Sequence, residues 1–176
     1  VVADNQCIRK EREGKIYTIK YKLPENKTFK FYLSDGEGNF NSSRFEIRDY
    51  IEVATTRPET MFGDTAVAIN PTDERYKEIV GQSVLIPLIN KSIPVITSHR
   101  VDKDFGTGCL KITPAHAPDD FQIMSEWNQE QLKSGREELT ISYVNIIDKN
   151  LKLVGIVPEE YKGMKYNAAL PLIVED

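Results

Sequence analysis

Apolar positions outnumber polar ones over Lys15–Tyr21 and again over Thr28–Leu33, both rich in aromatic and β-branched side chains, with Pro24-Glu25-Asn26 between them. That composition predicts two strands, and the short polar turn predicts that they pair as a hairpin. Asp35-Gly36-Glu37-Gly38-Asn39 and Asn41-Ser42-Ser43 predict a polar loop. Phe45, Ile47, Ile51 and Val53 then keep one parity toward Thr55, as a single strand with one buried face requires, ending near Thr56.

Thr65–Ile69 is a short apolar run stopped by Asn70-Pro71, and Asp73 to Val80 reads as a surface helix with Thr72 as N-cap. Val84-Leu85-Ile86, Ile93–Ile96 and Cys109–Thr113 predict short strands, and Pro118 with Asp119 and Asp120 starts an amphipathic helix reaching about Trp127. Ile141 to Ile147 predicts another strand, Asp148-Lys149-Asn150 a hairpin-like turn before Leu151–Val157, and a short helix follows near Tyr166. Seven or eight short strands with two or three helices give a mainly β, barrel-like or strongly curved sheet with peripheral helices, an α+β class.

The chain's 176 residues suit one domain, taken as residues 1–176. Its net charge of −4 excludes a basic coat for duplex nucleic acid, so any such contact is local; residues 1–48 are the basic end, with 10 basic and 7 acidic residues. Cys7 and Cys109 allow one bridge at most, and with only His99 and His116 beside them a four-ligand zinc site is not expected. No apolar run approaches a membrane span and no signal peptide opens the chain, which points to the reducing cytoplasm. The start at Val1 without methionine and the abrupt end at Asp176 suggest a piece cut from a larger protein.

Two segments concentrate chemistry. In the first, Ala54-Thr55-Thr56-Arg57-Pro58-Glu59-Thr60-Met61-Phe62-Gly63-Asp64-Thr65, hydroxyls, a guanidinium and carboxylates leave the end of an apolar strand. The same residues also suit a strand-to-helix turn with capping threonines. The second, Phe105-Gly106-Thr107-Gly108-Cys109-Leu110-Lys111-Ile112-Thr113-Pro114-Ala115-His116-Ala117-Pro118-Asp119-Asp120, puts Lys111 and Thr113 on one strand face with Asp120 at the following helix start, so all three can converge. Gly-Thr-Gly precedes a strand rather than opening a helix, which weakens it as a phosphate signal. Taken alone, His116 reads as a hydrogen-bonded structural histidine, Cys109 as a buried thiol, His99 as a surface residue, and Met124 with Trp127 as packing. No nucleophile elbow, zinc-protease motif or Walker loop is present.

Together the segments resemble the editing domain inserted in the class I aminoacyl-tRNA synthetases for valine, isoleucine and leucine. Thr-Thr-Arg-Pro-Glu-Thr, Gly-Asp-Thr-Ala-Val-Ala-Ile-Asn-Pro and Gly-Thr-Gly-Cys-Leu-Lys-Ile-Thr-Pro-Ala-His are most similar to the valine version, and Lys111 supports it, since isoleucine enzymes typically carry histidine there. The likeness is densest over Ile51–Gln122. It implies post-transfer hydrolysis of the ester in threonyl-tRNA for valine, whose partners are the misacylated 3′ acceptor end and the rest of the synthetase. Editing would use no cofactor or metal, the parent enzyme using ATP and magnesium elsewhere, and the domain would be a monomer off the membrane.

Carried over by position, the resemblance implies that Thr55, Thr56 and Arg57 line the pocket and meet the terminal adenosine, with Asp64 supporting them. Phe105 would lie against adenine, Lys111 and Thr113 would face the ribose and ester, and Asp120 would hold the α-ammonium. Glu59 and His116 complete the implied substrate-binding set, with Asp120, Lys111 and Thr56 as its catalytic members. Ala117 departs from the pattern, since the valine enzymes commonly have aspartate there. An activated ester needs only an anchored ammonium, a placed water and a stabilised oxyanion, so no covalent intermediate is required. The rival readings are an acceptor-end binding module with little activity alone, a free-standing deacylase, and a cysteine hydrolase using Cys109 and His116.

Overall fold

The computed structural model describes residues 15–35 and 40–175. Among them eight strands form a six-stranded sheet and a two-stranded ribbon: β1 (Tyr17–Lys22), β2 (Phe29–Ser34), β3 (Phe40–Arg48), β4 (Tyr50–Thr55), β5 (Ala66–Ile69), β6 (Ser83–Ile86), β7 (Lys91–Thr97) and β8 (Cys109–Ile112). The sheet order is β4-β1-β6-β7-β5-β8, and its two edges, β4 and β8, curl round into contact with no ladder between them among the described residues. Two helices, α1 (Pro118–Lys133) and α2 (Tyr166–Glu175), lie outside this nearly closed barrel, which is the mainly β class with peripheral helices that the pattern predicts.

The expected hairpin does not form. β1 pairs antiparallel with β4, Tyr21 opposite Ile51, while β2 pairs with β3 in the outer ribbon. The turn after β1 explains this: Glu25 and Asn26 take left-handed φ values of 57° and 55°, and the Leu23 N–H donates to the Asp49 carbonyl at 2.7 Å. The chain is thereby led out of the sheet before β2 starts. The single strand expected from Phe45 to Thr55 is likewise two, broken at Asp49 with a change of partner. Ile47 is 61 % exposed on the ribbon, whereas Ile51 in the sheet is 1 % exposed, although both share one parity. Of the expected polar loop, residues 36–39 lie outside the described residues and Asn41–Ser43 belong to β3, as Cys7 lies outside the described residues too.

Two other expectations are corrected. Asp73–Val80 holds only a 3-10 turn, Glu74–Tyr76, capped by Asp73 rather than Thr72: the Asp73 carboxylate accepts from the Arg75 N–H and pairs with its guanidinium, while the Thr72 hydroxyl donates to Asn70 Oδ1. Tyr76 of that turn and Ile79 after it are buried. Ile141–Ile147 is extended but joins no ladder, because side chains take its backbone groups: Asn128 both donates to the Ile141 carbonyl and accepts its N–H, and His116 Nε2 accepts from the Ile146 N–H. Only a bridge between Ile147 and Leu153 marks the expected hairpin after Asp148. Helix α1 begins at Pro118 as expected and runs on past Trp127 to Lys133.

Strand β5 is buried on both faces and separates two cores. Val67 and Ile69 face the larger one with Phe29, Phe31, Phe62 and Tyr161, while Ala66 and Ala68 face Ile123 and Met124 of α1. Small side chains on that face let α1 pack close to the sheet, and this carries the start of α1 beside the end of β8. No helix of the described residues is long and apolar enough to cross a membrane.

Candidate active site

A cavity of about 290 Å³ opens where the ends of β4, β8 and α1 meet. Both sequence segments reach it: Thr55, Thr56, Arg57 and Thr60 from the first, and Phe105, Lys111, Thr113, His116, Ala117 and Asp120 from the second. Two expected residues, Glu59 and Asp64, do not line it. Glu59 is buried in the 3-10 turn Pro58–Gly63 and pairs with Arg57 at 3.6 Å, leaving its Oε2 without a partner. Asp64 lies fully buried beneath the lining residues, so it is not among the side chains that face the cavity.

The floor is a hydrogen-bonded network centred on Asp64. Its carboxylate accepts from the Tyr21 hydroxyl at 2.6 Å, the Thr113 hydroxyl at 2.5 Å and the Lys111 ammonium at 3.0 Å. Lys111 also donates to Thr60 Oγ1 at 2.7 Å and Thr113 Oγ1 at 2.6 Å, so all three of its N–H groups are committed to protein. Thr60 in turn donates to the Arg57 carbonyl at 2.9 Å. Burial pushes the Asp64 carboxyl up from the ordinary aspartate range, against the opposing pull of Lys111 and the three donors.

The bookkeeping of donors decides what this floor offers. A threonine hydroxyl has one proton and two lone pairs. Thr113 gives its proton to Asp64 and takes one from Lys111; Thr60 gives its proton to the Arg57 carbonyl and also takes one from Lys111. Each oxygen keeps one lone pair and no free proton. Asp120 adds another acceptor: its Oδ2 takes the Thr113 N–H at 2.8 Å, and its Oδ1 has no hydrogen bond among the described residues. Burial, as the largest influence, raises the Asp120 carboxyl, with the Thr113 N–H and Lys111 acting in the other direction. The cup therefore presents a surplus of acceptors.

Its rim joins the two segments. Arg57 Nη1 donates to the His116 carbonyl at 3.1 Å, and Thr55 Oγ1 accepts from the Arg57 N–H at 3.0 Å. His116 is held as the structural reading expects, accepting at Nε2 from the Ile146 N–H at 3.3 Å. Burial and the nearby Arg57 and Lys111 charges lower its pKa, in keeping with a neutral acceptor nitrogen. Thr56 is exposed at the mouth, and Phe105 stands 67 % exposed beside it. Ile16, Ala54 and Leu110 add an apolar wall.

Sequence reasoning left out Tyr21 and Thr60. A strand tyrosine on the parity of Ile19 reads as core, yet a buried hydroxyl requires a partner, and only a polar group below the strand could supply one. Thr60 lay within the first segment, three residues after Arg57, at the spacing where a hydroxyl returns to a backbone carbonyl.

The Cys109 thiol is buried and pushed up to about 12 by that burial, which keeps it protonated and removes it as a nucleophile. No three His, Cys, Asp or Glu side chains of the described residues stand together as a metal ion would need.

Comparison with known proteins gives related sequences over almost the whole chain. It is 46 % identical over 164 residues to the valine–tRNA ligase of Borreliella burgdorferi, covering 93 % of the chain and 15 % of that protein. The valine–tRNA ligase of Lactobacillus johnsonii is 39 % identical over 178 residues, covering 99 % and 16 %. That of Treponema denticola is 38 % identical over 175 residues, covering 99 % and 17 %. The chain thus spans about one sixth of the length of these relatives. A solved structure described as GlLeuRS-CP1 aligns with a TM-score of 0.48 and 23 % identity, over 72 % of this chain and 66 % of that one. No family model matches.

Proposed function

Over nearly its whole length the chain belongs to the valine–tRNA ligase family, and from that premise we propose that it is an editing domain that hydrolyses the ester of threonyl-tRNA made in error for valine. The observation that carries the reading is the acceptor surplus of the cup. A threonyl ester brings two kinds of donor, the α-ammonium and the β-hydroxyl. Asp120 Oδ1 takes the ammonium in a charge-assisted hydrogen bond, and the spare lone pairs of Thr113 and Thr60 take the hydroxyl. Valine has a methyl group in place of that hydroxyl and would leave these acceptors unpaired and dry. Valine and threonine are the standard pair that an apolar pocket separates poorly and a hydrogen-bonding site separates well.

Hydrolysis then needs one water. Its oxygen adds to the ester carbonyl carbon, the bond to the ribose oxygen breaks, and that oxygen leaves with a proton as the free ribose hydroxyl. Asp120 fixes the amino acid while Phe105, Thr55, Thr56 and Arg57 hold the terminal adenosine, so the ester carbonyl is presented to the water in one orientation. With every N–H committed, Lys111 acts by its positive charge beside the developing oxyanion and by turning the Thr60 and Thr113 protons away from the substrate. Glu59 holds Arg57 from below, and Arg57 ties the two segments together through His116.

The decisive experiment is multiple-turnover deacylation by this chain of threonyl-, valyl- and isoleucyl-tRNA for valine. Loss of threonine alone from its tRNA is the expected outcome; equal rates on all three would refute the reading. The net charge of −4 favours a second reading, in which the chain only holds the acceptor end. In that case tRNA binds and no turnover is seen.

A further inference from the structure

Three residues of the cup wall, Ala54, Phe105 and Leu110, also line a second cavity of about 180 Å³, completed by Arg100, Val101, Asp102, Gly108 and Cys109. The exposed Phe105 ring therefore stands at the partition between two adjoining cavities. The smaller one is a largely apolar slot with two charged side chains at its rim, and each has one unused group. Arg100 binds Glu126 through Nε and Nη2, leaving Nη1 without a hydrogen bond among the described residues. Asp102 accepts the Asp104 N–H at Oδ1, leaving Oδ2 in the same condition.

The segment carrying Phe105 is held firmly. Arg75, paired with Asp73, donates to the Lys103 carbonyl at 2.5 Å, and the Tyr76 hydroxyl donates to the Thr107 carbonyl at 2.8 Å. Gly106 and Gly108 take φ values of 58° and 78°, and a Cβ on Gly108 would run into the Arg75 guanidinium and the Asp73 carboxylate. A largely apolar slot beside an exposed aromatic ring on a held backbone, with one free donor and one free acceptor among its lining side chains, has the chemistry of a nucleobase site.

We propose that this second cavity takes the base of the nucleotide preceding the terminal adenosine, and that it is selective for cytosine. The inference rests on the editing reading, because it is the acceptor end in the first cavity that brings the neighbouring base to Phe105. Cytosine offers an exocyclic amine to the Asp102 carboxylate and a carbonyl oxygen to Arg100 Nη1. Uracil places a carbonyl where that amine would be, facing the carboxylate.

The test is titration of the 176-residue chain with adenosine, cytidylyl-(3′→5′)-adenosine and uridylyl-(3′→5′)-adenosine, followed by amide NMR shifts. Cytidylyl-adenosine is expected to bind about tenfold more tightly than adenosine, the increment of one stacked and hydrogen-bonded base. Uridylyl-adenosine should lose most of that gain. Arg100→Ala should reduce it to what stacking and Asp102 supply, with adenosine affinity unchanged, and Asp102→Asn, which sets an amide N–H where the free carboxylate oxygen stood, should move the preference to uridylyl-adenosine. Equal affinity for adenosine and cytidylyl-adenosine, or a cytosine preference that survives both substitutions, overturns the second site alone. Binding of neither adenosine nor cytidylyl-adenosine overturns it together with the editing reading.

Discussion

Replacing Lys111 by methionine removes the ammonium under the cup and keeps a side chain of similar reach. Asp64, fully buried, is left with the hydroxyls of Tyr21 and Thr113 and no counter-charge. At the observed 3.0 Å and an effective dielectric of ~20, the lost Coulomb attraction is about 5–6 kcal/mol. Breaking one side of a buried pair costs about 3–5 kcal/mol in practice, and that is the loss expected in urea denaturation at neutral pH. The sign of the pH dependence follows from the carboxyl. Without Lys111 its folded pKa rises further, so the variant keeps its stability below the ordinary aspartate range and loses it as pH rises through the new value. The gap from the parent chain should therefore be small in acid and widen toward neutrality. Adding Asp64→Leu to Lys111→Met should recover much of the loss, since neither charge is then stranded. A loss under about 1 kcal/mol, as for an exposed pair, or one insensitive to pH, would refute the account of Asp64 and Lys111 as a buried ion pair beneath the cup.

Four further outcomes are expected. Asp120→Asn should abolish threonyl-tRNA deacylation while the chain stays folded by circular dichroism. Alanine is the poorer test, because it strands the buried Thr113 N–H at about 1–3 kcal/mol. In the parent chain the acidic limb of kcat/KM should lie above the ordinary aspartate range, because Asp120 must be ionised to hold the ammonium and burial raises its pKa. Gly63→Ala should cost about 1–3 kcal/mol in denaturation and depress deacylation, since the new methyl meets the Val144 carbonyl at 3.1 Å and Thr113 Cγ2 at 3.3 Å. Ala117→Asp should stabilise the chain by about 0.5–2 kcal/mol in the same assay, because Ala117 is an extended N-cap of α1 with no side-chain bond to the helix.

How far the fold could be read depended on whether the signal was local. The aromatic and β-branched run of β1, the even spacing of Ile51 and Val53 in β4 and the Pro118-Asp119-Asp120 start of α1 are local, and each of these residues lies in an element of the expected type. Pairing partners are not local. Two left-handed residues, Glu25 and Asn26, sent β1 to β4 instead of β2, and neither type of residue announces that geometry by itself. Residues 141–147 have strand-like composition, but their ladder bonds are taken by Asn128 and His116, side chains from outside the segment. The site followed the same division. Lys111, Thr113 and Asp120 were legible because strand period and helix start place them together. Tyr21 was not, because its hydroxyl partner lies 43 residues away at Asp64.

The selectivity proposed for the cup comes from the direction of protons more than from its shape. A lone threonine hydroxyl in a pocket can rotate to donate or accept, so it tells a hydroxyl from a methyl group but imposes no polarity on its partner. Here the Asp64 carboxylate beneath Thr113 and the Arg57 carbonyl beside Thr60 claim both protons, and Lys111 claims one lone pair of each oxygen. The hydroxyls are thereby fixed as acceptors before any substrate arrives. Burying Asp64 and Lys111 carries a desolvation cost that a plain apolar floor would avoid, and such a pair is a poor device for stability alone. What it secures is orientation: a floor that cannot reverse its dipoles cannot adapt to a substrate without a donor, and an amino acid with only methyl groups at that position leaves two oriented acceptors dehydrated.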